Sequence, residues 1–355
     1  MKQTKRARLL AWIRAHQRLV LILVGLILIT SAGAAAAYTV TKPLPPEPVV
    51  RRSAPPKDPA YYSLLTGAEV KDEESVTSPV TAIMIENSPD ARPQSGLKQS
   101  GVVFEAIAEG GITRFLVLYQ NEQPSLVGPV RSLRSYYVDW LAPFQASVAH
   151  VGGSHKALQE IRNGSYRDID QFFNAGTYWR ASDRYAPHNV YTNFSRINKL
   201  NKQKGYTKSS FTGFKRDDSE PAKKPTAKDI SVTISSATYN SRYKYNQKTN
   251  TYNREQGGVK HLDREKGQIS PRVVVVLKVE QHKVMEDGYR ESIKTTGSGE
   301  AHIFQDGTVK KVTWKKANKK AQLTFVDGDG KDVTLARGQT WITAVPRASG
   351  GVSWQ

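Results

Sequence analysis

Residues 19–41 read LVLILVGLILITSAGAAAAYTVT without one charged side chain, and Lys2, Lys5, Arg6, Arg8, Arg14 and Arg18 all precede them. At a rise of ~1.5 Å per residue, a helix of this length reaches across a ~30 Å hydrocarbon layer. All flanking charge upstream is positive, which keeps that side in the cytoplasm and sends the rest of the chain outward. The stretch also fits a cleaved signal peptide, with an apolar start at residues 19–29 and small residues at Ala34, Ala35 and Ala36. Its uncharged length favours an anchor that is kept. Both readings export the remainder, so the expected location is the cell membrane, single-pass, with the body extracytoplasmic.

The exported part divides by composition. Behind a basic tip (1–18) and the apolar segment (19–41) comes a spacer at 42–77, whose first part, PLPPEPVVRRSAPPKDP, is extended and semi-rigid because proline fixes the backbone and removes donors. A first domain is expected at 78–198, a basic exposed linker or long loop at 199–228, and a second domain at 229–355. The expected fold class is α+β, a mixed α/β domain followed by a mainly β domain.

Periodicity supports that division. Short apolar runs at 80–85, 102–108, 113–119 and 146–151 read as strands. Glu109-Gly110-Gly111 between two of them reads as a hairpin turn. Leu133, Tyr137, Trp140 and Phe144 fall at helical spacing, and Ser154 caps a helix over 155–163 that Gly164 stops. In the second domain a valine run at 272–279 suits a central strand. Short strands follow at 301–305, 309–315, 321–326, 333–335 and 340–346, with turns at Asp306-Gly307 and at 327–330, as in a hairpin-built sheet or small barrel.

Several of these stretches are familiar together. AIMIEN, ARPQSGL, VVFEAIAEGGITRFL, VGPVRSLRSYYVD, HVGGS and APHNVYT, followed by YNREQGGVKHLD, GSGEAHIFQDGTVKKVTW and GQTWI, occur in that order. In them the chain resembles the YerB family of bacterial envelope proteins. The resemblance implies an envelope location and two domains of unassigned function. Its members are named as lipoproteins, and this chain has no cysteine to acylate, so a protein anchor would stand in for the lipid.

The absence of cysteine also excludes disulfides, thiolate zinc sites and thiol nucleophiles. Net charge is +20. Of the 52 basic residues 30 lie in 197–355 against 16 acids, while 1–46 holds 7 and no acid. Export removes nucleic acid as a partner, which leaves anionic envelope polymers, lipid head groups or a merely solvated basic surface.

Candidate site residues cluster in the first domain. Glu105 and Glu109 flank the hairpin and Arg114 follows it. Arg131 and Arg134 stand three apart at a helix start, where guanidiniums and free amides suit a carboxylate or phosphate. The competing reading pairs each arginine with an acid such as Glu105 or Glu109. His188 and Asn189 sit in the turn Ala186-Pro187-His188-Asn189 and complete the expected ligand set. His150, His188 and Glu109 are the acid–base candidates of an alternative, an envelope hydrolase or transferase. No histidine spacing matches a standard zinc motif, and no resident metal or cofactor is expected. Ser95-Gly96-Leu97-Lys98 and 327–331 are set aside as accidental matches to S-x-x-K and calcium-loop patterns. The leading expectation is a binding or scaffold module for an anionic or glycan ligand.

Overall fold

The computed structural model describes residues 5–40, 60–284 and 290–355. The chain falls into two compact units, Met1–Asp58 and Pro59–Gln355. In the first, α1 (Lys5–Ala15) and α2 (Gln17–Val40) are helical. Among the described residues no single helix is long and apolar enough to cross a membrane. The pair Lys5–Ala15 and Gln17–Thr30, bent by 85°, could do so by length and composition. The proline-rich stretch at 43–59 lies outside the described residues. Residues 60–77, expected as the end of the spacer, belong to the body instead. Leu65 is buried there and a short ladder joins Tyr61–Tyr62 to Glu69–Val70, so apolar burial outweighs the polar look of the segment.

The strands of the body's two larger sheets, in chain order, are β1 (Thr81–Glu86), β2 (Val102–Glu109), β3 (Ile112–Tyr119), β4 (Ser147–Ala149), β5 (Arg167–Asp168), β6 (Asp229–Thr233), β7 (Ser241–Asn246), β8 (Thr251–Gln256), β9 (Val259–Lys260), β10 (Val273–Val279), β11 (Gly297–Gln305), β12 (Thr308–Lys316), β13 (Thr324–Val326), β14 (Thr340–Pro346) and β15 (Gly351–Trp354). Ten of them form one sheet in the order β13-β12-β11-β10-β14-β2-β3-β1-β4-β5, and five form a second, β9-β8-β7-β6-β15. The large sheet joins the two sequence halves. β14 lies parallel to β2, with Thr340 opposite Val102 and Thr343 opposite Glu105. The late hairpins therefore extend the main sheet and do not close a barrel of their own.

Alternation along the central strands explains the layers. Val102, Phe104, Ala106, Val273, Val275, Ile342 and Ala344 face one core, shared with Tyr137, Trp140 and Phe144 of α3 (Ser135–Leu141) and its 3-10 extension. Val103, Ile107, Val274, Val276, Trp341 and Val345 face the other, shared with Ile230, Val232, Tyr243 and Tyr252 of the five-stranded sheet and with Ile197 of α5 (Phe194–Gln203). A strand buried on both faces needs a near-continuous apolar run, which is how VVFEAIA and VVVVLKV read.

Local signals are realised. Gly110 and Gly111 turn the β2–β3 hairpin at φ +56° and +78°, a conformation that asks for glycine. Ser154 caps α4 (His155–Asn163), its hydroxyl accepting from Ala157 N. Asp327 makes the late turn by accepting from Asp329 N and Lys331 N. The expected linker at 199–228 starts too early, since 199–203 are the last turns of α5, and the long loop that follows from 204 is laid onto the body. Asn201, Ser209, Phe214 and Ala227 are buried, and Arg216–Asp217 pairs parallel with Leu335–Ala336. A few apolar plugs and a backbone ladder suffice to order a stretch that looks polar throughout.

Candidate functional site

β1 ends on Glu86, whose register partner across the sheet is Arg114. Beside it the segment 127–131 lies as an irregular strand, with Glu86 N donating to Pro129 O and Arg131 N to Met84 O. Three networks grow from this corner.

In the first, the Glu86 carboxylate is buried. One oxygen accepts from His188 Nδ1 at 2.9 Å and Ser88 Oγ at 2.9 Å, with Arg131 Nε at 3.1 Å. Ser88, His188 and Glu86 are residue types of a nucleophilic triad, but the arrangement is not one. The hydroxyl and the carboxylate both approach Nδ1, whereas a relay needs them on opposite nitrogens. His188 Nε2 faces Asp90 at 3.9 Å.

In the second, Glu109 receives Arg114 Nη2 at 2.6 Å on one oxygen and Arg134 Nε at 3.0 Å on the other. Arg114 Nη1 also donates to Ser132 O, and Arg134 Nη1 to Leu133 O. Burial acts to raise the Glu109 pKa, but the two guanidiniums outweigh it and hold the carboxyl below its usual range. That keeps Glu109 ionised, the wrong state for a general acid at neutral pH. Burial, with Arg114 close by, lowers Arg134 instead. The pair is a compensated structural bridge.

In the third, His150 is fully buried, with Nδ1 2.7 Å from Gly152 O and Nε2 3.0 Å from Asp168 Oδ1. Burial acts to raise Asp168, and the hydrogen bond and charge of His150 bring it below the ordinary value. Glu109, His150 and His188 thus each serve a separate network. Among the described residues, no group of three histidine or acidic side chains is placed to hold a metal ion.

Two expected ligand residues take other places. Glu105 faces the five-stranded sheet, at 0% exposure, and accepts from Arg254 Nη2 (2.8 Å), Trp341 Nε1 (2.9 Å) and Thr113 Oγ1 (3.3 Å). An external ligand cannot reach it, because strand alternation turns it away from Arg131 and Arg134 into the second core. Arg254 continues the network to His261 Nδ1, and His261 Nε2 donates to Gln94 Oε1. Burial, Arg254 and Arg92 keep His261 well below the usual histidine pKa, so its neutral ring accepts on one nitrogen and donates on the other. Asn189 staples the 180–189 loop. It accepts from Arg180 Nη1 at 2.7 Å and donates to Ala181 O and Arg184 O.

That loop builds the open space. His188, Asp90, Pro93, Asp183, Arg184, Tyr185 and Arg264 line a depression of about 590 Å³. Arg184 crosses it to the carbonyls of Asp90 and Pro93. Tyr185 stands 91% exposed. Asp183 and Arg264, bonded at 2.5 Å, also line a second hollow of about 340 Å³ with Trp179, Arg180 and Glu265. The hydrogen bond from Arg264 holds the Asp183 carboxyl below the usual range. The two hollows adjoin at this ion pair, which lines both, and are together termed the groove. Arg134 lines a different cavity, with Ser154, His155 and Arg290, so the four expected cationic residues do not share one concavity. Sequence reasoning missed Glu86, Asp90, Asp183, Arg184, Tyr185 and Arg264. Asp183-Arg184-Tyr185 directly precedes the turn that drew notice to His188, and that adjacency was the available signal. Nothing local marks Arg264.

Comparison with known proteins gives two family matches. Residues 65–207 match the protein of unknown function (DUF3048) N-terminal domain, and 230–342 its C-terminal domain. YerB of Bacillus subtilis (strain 168), provisionally named a lipoprotein, is 34% identical over 287 residues, 79% of this chain and 85% of its own length. The crystal structure of the Bacillus subtilis YerB protein superposes with a TM-score of 0.73 at 31% identity, over 82% of this chain and 99% of the solved one.

Proposed function

This chain belongs to the DUF3048 family, shared with YerB, and from that premise we propose that it is an envelope-tethered binding module whose groove takes a sugar chain of the cell envelope. Residues 19–41 tether it, with the N-terminus in the cytoplasm and the body outside. The relative's naming as a lipoprotein is in keeping with membrane attachment by a different device.

The observation that carries the reading is the groove across Asp183 and Arg264, with Tyr185 at its rim. A pyranose presents an apolar C–H face and a ring of hydroxyls that both donate and accept. An exposed phenol ring supplies the first match and alternating guanidinium and carboxylate groups the second. A simple anion is less well served. Arg264, Arg131, Arg114 and Arg134 already face carboxylates, and the two arginines that line the larger hollow, Arg184 and Arg264, are matched in number by Asp90 and Asp183, so little net positive charge is left for it. The hydrolase alternative built on Glu109, His150 and His188 loses support because the three serve separate networks.

The test is retention of residues 59–355 on insoluble cell-wall sugar polymer. The body is suited to it, since nearly all of the solved relative corresponds to it. Tyr185→Ala and Arg264→Ala should each lower retention by tenfold or more at unchanged melting temperature. Retention equal to the parent's would remove the groove from the account.

A further inference from the structure

Beyond the groove, Phe172 and Phe173 stand side by side in the loop after β5 at 68% and 71% exposure. The loop that carries them is held firmly. Asp170, itself buried, accepts from Gly152 N and Phe172 N on one oxygen and from Arg162 Nη2 on the other. Its carbonyl accepts from Phe173 N, and His150 O accepts from Gln171 N. Arg162 stacks over Phe173 at 5.0 Å. Two large apolar rings kept in water by a rigid, hydrogen-bonded frame are preorganised for something that covers them.

The surroundings indicate what. A hollow of about 560 Å³ beside Phe173 is lined by Arg196 and Lys199 and by no acidic residue. Among the described residues Lys199 makes no ion pair, and it is exposed. Apolar rings adjoining an uncompensated cationic hollow match the boundary of an anionic bilayer, where acyl chains meet phosphate. The tether keeps such a surface near. Residues 41–59 span at most ~65 Å when fully extended, so a weak contact is enough to dock the body.

We propose that the Phe172–Phe173 loop, with Arg196 and Lys199, is a membrane-contact site that inserts its two rings into an anionic lipid surface. The inference rests on the tethered reading only for the bilayer's proximity and is independent of the sugar groove.

The test is co-sedimentation of residues 59–355 with vesicles of phosphatidylcholine, with and without phosphatidylglycerol. Binding should require the anionic lipid. It should fall tenfold or more in F172S/F173S, and by on the order of fivefold per charge changed in Lys199→Glu. In Phe173→Trp the added emission should shift to the blue on binding and be quenched by lipids brominated on their acyl chains. Arg264→Ala should leave vesicle binding unchanged and F172S/F173S should leave sugar retention unchanged, which separates this site's failure from the groove's. Equal vesicle binding by parent and F172S/F173S would overturn the proposal. So would equal binding of both to soluble polyglycerol phosphate, which would indicate an anionic polymer. A parent dimer that F172S/F173S converts to monomer would also overturn it, assigning the rings to a second copy.

Discussion

Replacing Arg254 with methionine probes the junction between the two sequence halves. Arg254 lies on β8 of the five-stranded sheet, and its charge partner Glu105 lies on β2 of the large one, 149 positions away. Both are fully buried. The guanidinium also donates to Tyr243 Oη and Gln256 Oε1 and lies 4.5 Å from the centroid of Trp341. Methionine preserves much of the stem's packing but strands a buried carboxylate. Removing one partner of such a pair costs about 3–5 kcal/mol. For a body this large each kcal/mol lowers the melting temperature by roughly 2–4 °C, so the variant should melt about 6–20 °C lower. Glu105→Gln should cost a similar amount by leaving Arg254 buried without its counter-charge. The double variant, with neither charge, should recover a large part of the loss, which is the signature of coupling in a double-mutant cycle. Urea denaturation followed by both near- and far-ultraviolet circular dichroism measures this, and one transition should serve the whole body. Single losses below about 1 kcal/mol, additive in the double variant, would refute the claim that this pair locks the halves. Two separated transitions would refute the single cooperative body.

Lys316 is buried with its ammonium donating to the carbonyls of Lys319 and Ala321, and burial pushes its pKa from 10.5 to about 8. A lysine depressed in the folded state penalises folding below that pKa, and the penalty lifts between pH 8 and 10.5. Relative to Lys316→Met, the parent should therefore gain stability from pH 7 to pH 10.5, on the order of 1–2 kcal/mol once the shift is discounted for solvent screening, as read by denaturant titration at both pH values. Glu109, held down by its arginines, contributes stability present above the unfolded carboxyl pKa and lost as pH falls through the lower folded one. Arg134→Ala should accordingly move the acid-unfolding midpoint upward. Arg131→Ala should lower stability by on the order of 1 kcal/mol, through loss of its ion pair with Glu86, with little change in sugar retention; the reverse pattern would make Arg131 a ligand residue. A reporter fused after Val40 should be active only outside the cytoplasm, and N-terminal sequencing that finds a new end near Ala36 would replace the anchor with a cleaved signal.

Features set by neighbours in the chain were legible beforehand. The glycine hairpin at 110–111, the Ser154 cap and the apolar runs of the central strands each follow from a handful of adjacent residues. The parallel pairing of β14 with β2 left no local trace, because nothing in Thr340–Pro346 distinguishes one apolar neighbour from another. The same limit hid the site. His188 was found through its turn, and Glu109, Arg114 and Arg134 through their density of charge, yet whether an arginine meets a ligand or an internal acid depends on strand register. Glu105 shows this most clearly, since a single position of alternation puts it behind the sheet. Arg264 comes to the groove from the other half of the chain, beyond the reach of any spacing argument. Phe172 and Phe173 carried no reading of their own, and they are exposed because the Asp170 turn faces them outward.

The groove itself is tested most directly by a crystal structure of residues 59–355 grown with a soluble oligosaccharide fragment of the cell-wall sugar chain. The account predicts a sugar ring stacked on Tyr185, with hydroxyls bonded to Asp183 and Arg264 as the chain crosses from the larger hollow to the smaller. A fragment bound elsewhere on the body, or a groove that stays empty at saturating fragment while Tyr185→Ala retains full affinity, would contradict it.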